Sequence, residues 1–147
     1  MQLTVIEAIN CRPAHLTDWQ ITGILRLVEL CFHKKTKINY LLQNCDTYVL
    51  SNQTAIVALV QVEFETQRRY WLQHVCTHPD YRNQGYMKQL LIKVMADLPQ
   101  KYPRIRRLHL EVIKSAIIAK HLYQSLGFKA KGHHMKYGYR KIKGCRR

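Results

Sequence analysis

Residues 76–95 read CTHPDYRNQGYMKQLLIKVM. Arg82 stands three residues ahead of Gly85, the one glycine of the stretch, and apolar residues recur at helical spacing from there on. That arrangement can bind an anion. The first backbone N–H groups of a helix lack internal partners, and the helix dipole adds partial positive charge at the same end. A glycine there has no Cβ to keep a bulky anion from the backbone. Arg82 adds a permanent charge whose fork geometry suits phosphate. No Gly-Lys-Ser/Thr follows, so the turn is not a nucleotide P-loop. Taken alone, the glycine also fits a plain helix start.

The elements that would hold this turn are legible on both sides of it. Residues 2–9 read as a first strand, with a loop at Cys11-Arg12-Pro13. Thr17 with Gln20 three residues on is a capping-box signature, and Ile21, Leu25, Val28 and Phe32 carry one helical face to residue 32. A shorter helix is expected over residues 36–43. TYVLSNQTAIVALVQV reads as two strands joined at Ser51-Asn52-Gln53, and RRYWLQHVCT as a third, rich in aromatic and β-branched residues. Met87, Leu90, Leu91, Val94, Met95 and Leu98 then line one face of a helix that Pro99 is expected to stop.

RLHLEVI alternates Leu108, Leu110 and Val112 with His109 and Glu111, the pattern of a half-buried strand. Ser115 is the expected N-cap of a helix burying Ala119, Leu122, Tyr123 and Leu126, with Gly127 as its C-cap. FKAKGHHMKYGYRK closes as a hairpin turning near Gly132. The order β-α-α-β-β-β-α-β-α-β-β predicts an α/β chain: a central, mostly antiparallel mixed sheet of about seven strands with about four helices on it. With no repeat and no Gly/Ser linker, residues 1–147 are expected to form one domain.

Composition narrows the function. An apolar share of 47% argues for a globular chain. The longest apolar run, residues 55–60, is far too short to span a membrane. No signal peptide is visible, and five cysteines without paired spacing suggest reduced thiols, so a cytoplasmic location is expected. No CxxC occurs and the eight histidines lack zinc-ligand spacing, so no metal is expected. Charge is uneven. Of 24 Lys and Arg against 9 acids, residues 101–147 hold 14 basic side chains and Glu111 as their single acid. Such a surface steers anions, either a polyanionic partner or simply counter-ions.

Two blocks carry a resemblance. Arg82-Asn83-Gln84-Gly85-Tyr86-Met87, after Thr77-His78-Pro79-Asp80-Tyr81, resembles the Q/R-x-x-G-x-G/A acetyl-CoA signature of the GNAT N-acetyltransferase superfamily. Ala119-Lys120-His121-Leu122-Tyr123-Gln124-Ser125-Leu126-Gly127-Phe128 resembles the second family block, A-x-x-L-Y-x-x-x-G-F. Both come in the family order with a normal separation. The resemblance implies the GNAT-like acyl-CoA N-acyltransferase fold and transfer of acetyl from acetyl-CoA to an amine by direct attack on the thioester. Met87 stands where the family usually has Gly or Ala, and Ala116 where many members have Asn near the cofactor arm. Altered affinity for the donor is expected from these departures, not lost binding.

The resemblance also implies roles. The strand before the signature would splay from its neighbour, with Val75, Cys76 and Thr77 offering backbone groups to the pantetheine and the thioester. Amides of Arg82, Asn83, Gln84, Gly85, Tyr86, Met87 and Lys88 would hold the pyrophosphate. Tyr123 matches the family tyrosine beside the sulfur and would act as general acid, although its place on an apolar helix face also suits a packing role. Glu111, flanked by apolar neighbours, is a candidate base through a raised pKa, or else an ion-pair partner of nearby basic side chains. His74 has a suitable intrinsic pKa for the same task. Gln73 could orient the amine. Cys76 could form an acyl-enzyme, but more ordinarily it is a buried apolar residue.

The implied partners are acetyl-CoA and an amine acceptor: a small molecule, a protein or a tRNA-linked amine. Cationic acceptors need a locally acidic mouth, for which Glu7, Glu63 and Glu65 are the candidates. A polyanion contact through residues 101–147 and pairing of two copies complete the set. Two other classes stay open, an acetyl-CoA-binding sensor without turnover and a basic nucleic-acid-binding module.

Overall fold

The computed structural model describes residues 4–8, 16–41, 43, 45–52, 54–113, 115–132 and 134–139. The loop expected at residues 11–13 and the basic tail beyond residue 139 lie outside them, as do Cys11, Cys145 and the Glu7 side chain. The element order is the one read from the sequence. Strand β1 (Thr4–Ala8) is followed by helices α1 (Asp18–Phe32) and α2 (Ile38–Leu41), then strands β2 (Cys45–Ser51), β3 (Ile56–Phe64) and β4 (Arg69–Thr77). A 3-10 turn (Pro79–Tyr81) leads into α3 (Tyr86–Lys101), β5 (Arg107–Glu111), α4 (Ile117–Ser125), β6 (Lys129–Lys131) and β7 (His134–Gly138).

Local chemistry sets several boundaries. Thr17 Oγ1 accepts the Gln20 N–H at 3.2 Å and Gln20 Oε1 accepts the Thr17 N–H at 2.8 Å, so the capping box closes at the start of α1. Asn52 Oδ1 accepts the N–H groups of Thr54 and Ala55, each at 2.8 Å, which turns the β2–β3 hairpin.

Two expectations fail. Pro99 does not stop α3, which continues to Lys101; the carbonyl that Pro99 cannot serve, Met95 O, instead accepts the Tyr139 hydroxyl at 2.9 Å. Ser115 does not cap α4. Ala116 occupies the N-cap without a side-chain bond, and its N–H donates back to Ile113 O at 2.9 Å.

The seven strands form one sheet in the order β1-β2-β3-β4-β5-β7-β6. Only the β4–β5 neighbours run parallel. Each face carries a core. Leu90, Leu91, Val94 and Leu98 of α3 pack with Tyr48, Leu50, Val60, Leu108 and Leu110. Ile24, Leu27 and Val28 of α1 pack on the other face with Val49, Leu59 and Cys76. Strand β3, covered on both sides, is accordingly a near-continuous apolar run. Truncating a fully buried leucine such as Leu91 to Ala would cost about 2–5 kcal/mol.

Two irregularities shape the middle of the sheet. β4 and β5 pair only from Arg69↔Arg107 to Trp71↔His109, after which β4 runs on to Thr77 without a β5 partner. The parallel pair therefore splays. On its other side β4 slips register against β3 between Leu59 and Gln61, and His74 takes the left-handed region at φ 49.

Candidate active site

Two clefts open from the splay, and they meet at Phe32, Val75, Ala119 and Tyr123. The first, about 610 Å³, runs from these residues along Cys76 and Thr77 to Arg82, Asn83, Gly85, Tyr86, Met87 and Lys88. Gly85 is the N-cap of α3 at φ 81, a conformation that disfavours a side chain. A Cβ there would meet no protein atom within 4 Å, so the space in front of it is open. No side chain caps α3, and its first N–H groups are left for a ligand. Asn83 is also left-handed, at φ 62. Arg82 is anchored beside this cradle through Nε, which donates to Thr77 O at 3.1 Å.

These features fit the pyrophosphate and pantetheine of acetyl-CoA. Arg82, Lys88 and the amides from Gly85 onward would hold the phosphates, and the unpaired edge of β4 from Val75 to Thr77 would run beside the pantetheine. Met87 is buried in the core beneath the first turn of α3, so its departure from Gly or Ala leaves the amides accessible. Gln84 is absent from the cleft lining and turns its amide to Asp80 O at 3.5 Å. Ala116 lines the second cleft instead of the first.

The second cleft, about 690 Å³, is lined by Glu63, Glu65, Trp71, Gln73, His74 and Glu111 among others, and by no Lys or Arg among the described residues. Its charge is opposite to that of the first cleft, whose described lining has Arg82 and Lys88 and no carboxylate. The sheet explains the convergence: Glu63↔Trp71↔His109 are register partners across β3, β4 and β5, so their side chains share one face. Glu65 is already engaged, accepting from Trp71 Nε1 at 2.9 Å and from Arg69 at 3.1 Å. Trp71 first, and Arg69 after burial has opposed it, hold the Glu65 carboxyl below the ordinary range. Glu63 makes no ion pair among the described residues. Glu111 keeps its apolar neighbours Leu110 and Val112 in the cleft lining but is itself 80% exposed, with His134 Nε2 at 4.0 Å.

Tyr123 stands between the two clefts. It is 7% exposed, packs against Phe128 and makes no hydrogen bond through its hydroxyl among the described residues. Burial pushes the phenol up to about 12, so it is protonated at neutral pH. His74 reaches its position through the bulge, and its Nδ1 lies 2.6 Å from Gln61 Oε1. Burial first, then the Lys34 charge, holds the His74 imidazole below the ordinary histidine value, against the pull of Glu63. Cys76 is buried, and the neighbouring Cys31 sulfur together with burial pushes its thiol far up, so it stays protonated for as long as Cys31 is unoxidised.

Three residues of the clefts and their surroundings are not singled out by the sequence as site residues: Gln61, which contacts His74; Phe32, which lines both clefts; and Cys31, which lines the first. Contacts between distant segments place all three, and no local spacing announces them.

Residues 14–128 match the family model described as the acetyltransferase (GNAT) family. Among solved structures, the chain is similar to the ribosomal-protein-S18-alanine N-acetyltransferase from Escherichia coli, at 16% identity and TM-score 0.77, covering 99% of each chain. It is similar to the spermidine/spermine N-acetyltransferase from Vibrio cholerae at 18% identity and TM-score 0.68, covering 93% of this chain and 95% of that one. A GNAT family acetyltransferase from Elizabethkingia anophelis with acetyl-CoA bound aligns at 15% identity and TM-score 0.71, covering 93% and 98%. At such identities these likenesses speak for the fold. No curated protein sequence matches the chain. With the family match spanning most of the chain and a cradle that fits the donor, this protein belongs to the GNAT acetyltransferase family and takes acetyl-CoA as its acetyl donor.

Proposed function

We propose that residues 1–147 act as one N-acetyltransferase domain that transfers acetyl to a primary amine by direct attack on the thioester, and that the acceptor is a cationic amine. The observation that carries this reading is the opposite charge of two clefts sharing Tyr123: Arg82 and Lys88 on one side, Glu63, Glu65 and Glu111 on the other. In a chain with 24 basic side chains and 9 acids, a cleft lined among the described residues by three carboxylates and no Lys or Arg selects for positive charge. An acetyl-CoA sensor would have no use for such a second cleft.

Bound acetyl-CoA supplies the activated acyl group; the chain supplies the rest. Glu63 draws in the ammonium, Gln73 helps orient it and neutral His74 receives its proton. Glu111, exposed at the rim, serves better to attract the cation than to remove a proton. Tyr123, kept protonated by burial, donates to the departing thiolate. Acceptors in this class include polyamines and peptides whose free amine lies beside basic residues. The cytoplasm, with its reduced thiols, is the compartment this reading assigns. A polyanion contact through residues 101–147 would include Lys129, Lys131, Lys136 and Arg107, whose crowding lowers the Lys136 pKa, with Lys131 contributing most.

Release of CoA thiol should be followed over a panel of monoamines, polyamines and basic or acidic peptides. Turnover confined to dicationic or polycationic acceptors is expected, with a KM about 3–10-fold higher in Glu63→Gln and in high salt. Preference for acidic or neutral acceptors would sink the reading.

A further inference from the structure

The rim of the donor cleft holds a pair of thiols that acetyl transfer does not use. Cys31, in the last turn of α1, donates to Thr77 O at 3.4 Å, and Arg82 Nη2 lies 3.8 Å from its sulfur. Cys76, on β4, belongs to the core cluster against which Cys31 packs. Both line the donor cleft but differ in access: Cys31 is partly exposed, whereas Cys76 is buried. The neighbouring Cys76 thiol first, and the Arg82 guanidinium after burial has opposed it, bring the Cys31 thiol down to about 6. The same contact and burial keep Cys76 protonated. An accessible thiolate beside a cation, backed by a buried thiol, is the arrangement of an attacking and a resolving cysteine.

We propose that Cys31 is a site of reversible oxidative modification, attacked by peroxide-class oxidants and resolved by Cys76 into a disulfide that ties α1 to β4 within the donor cleft. The Cys31 thiolate attacks one peroxide oxygen, the O–O bond breaks and, with one proton taken up, water leaves; the sulfur is now a sulfenic acid. The Cys76 sulfur then attacks the Cys31 sulfur, its proton leaves with the hydroxyl as a second water, and the disulfide forms. Overall two thiols are oxidised and one peroxide is reduced to two waters. Acetyl-CoA bound in this cleft would cover Cys31, and its phosphates would compete with the thiolate for Arg82. Donor binding and Cys31 ionisation therefore oppose each other. A transient bond of this kind suits a reducing compartment, where cytosolic disulfides are usually sensing or catalytic ones.

The test is peptide mapping of the whole protein after peroxide treatment, with and without saturating acetyl-CoA. A Cys31–Cys76 cross-linked peptide is expected, split by dithiothreitol, absent from Cys31→Ser and formed about tenfold more slowly with acetyl-CoA. Because it reads mass and not turnover, it is independent of which amine the enzyme acetylates. Alkylation gives a second measure: at about pH 5.5, Cys31 should react with iodoacetamide roughly tenfold faster than Cys45, its larger thiolate fraction outweighing its lower intrinsic nucleophilicity. Cys76→Ala should remove most of that advantage and Arg82→Gln a smaller part of it. Oxidation of Cys31 to sulfinic acid without a cross-link, or alkylation no faster than at Cys45, would overturn the proposal.

Discussion

His74 Nδ1 lies 2.6 Å from Gln61 Oε1, across the point where β3 and β4 lose register. The contact fixes the histidine's tautomer. Gln61 Nε2 donates to Leu41 O at 2.8 Å and lies 3.1 Å from Thr47 Oγ1, so the amide cannot turn round without facing one carbonyl oxygen with another. Gln61 Oε1 must then accept, and His74 Nδ1 carries the proton. Nε2 keeps its lone pair, which is the form a general base needs. The bulge that presents His74 is thus braced by a buried polar group from the neighbouring strand.

Stability should depend on pH through this histidine. Its folded pKa is depressed, so the unfolded chain binds more protons over the interval between the two values. The stabilising contribution is complete above the unfolded value of about 6.5 and is lost as pH falls through the folded one. His109, depressed by burial and by Arg69, acts in the same direction. The melting temperature should fall as pH is taken from about 7.5 toward 5. His74→Asn, which tolerates the left-handed backbone, should show a shallower fall. A curve parallel to the parent's would remove His74 from the account.

Tyr123→Phe tests the proton donor. The phenol makes no hydrogen bond among the described residues, so its loss should alter stability by less than about 1 kcal/mol. Turnover should fall by about 100-fold, the usual scale for a general acid, while KM for acetyl-CoA stays near the parent value. Since burial holds the phenol near 12, the parent's rate should show no alkaline loss from Tyr123 below about pH 10. Unchanged turnover would return Tyr123 to a packing role.

What could be read from the chain was local. Thr17 and Gln20 cap α1 because three residues of spacing bring both ends of one turn together. Gly85 and the block ending in Gly127-Phe128 are legible for the same reason: each lies where the backbone turns within a few residues. Glu63, Glu65 and Glu111 could be suspected of forming an acidic mouth only as a list. Their meeting depends on pairing across three strands, which no short window contains. The His74 bulge was equally hidden, since a register slip is a property of two strands. Pro99 misled because its usual effect assumes that nothing else will take the carbonyl it abandons.

Gly85→Ala separates backbone demand from ligand contact. A side chain at φ 81 costs about 1–2 kcal/mol, with no clash to add because the surrounding space is open. Gly132, at φ 63 and equally open, is the matched control at the β6–β7 turn. Saturating acetyl-CoA at about one hundred times its Kd adds about 2.7 kcal/mol to the parent, roughly 5–10 °C in Tm. Both variants should melt earlier. Only Gly85→Ala should also lose most of the acetyl-CoA shift, because its methyl stands where the phosphates approach. Equal shifts in the two variants would mean that the donor does not reach the amides behind Gly85.

Tyr139 and Pro99 should be energetically coupled through Met95 O. With Pro99 in place, the Tyr139 hydroxyl is the donor that satisfies this carbonyl, and Tyr139→Phe should cost about 1 kcal/mol or somewhat more. In a Pro99→Ala background, the new N–H can close the ordinary helical bond to Met95 O. Tyr139→Phe should then cost less, giving a coupling of about 0.5–1 kcal/mol in a double-mutant cycle read by denaturant unfolding. The sign distinguishes this account from simple packing of the Tyr139 ring, whose loss would be the same in both backgrounds. A cycle that closes to zero would mean that α3 tolerates Pro99 for some reason other than the hydroxyl on β7's outgoing chain.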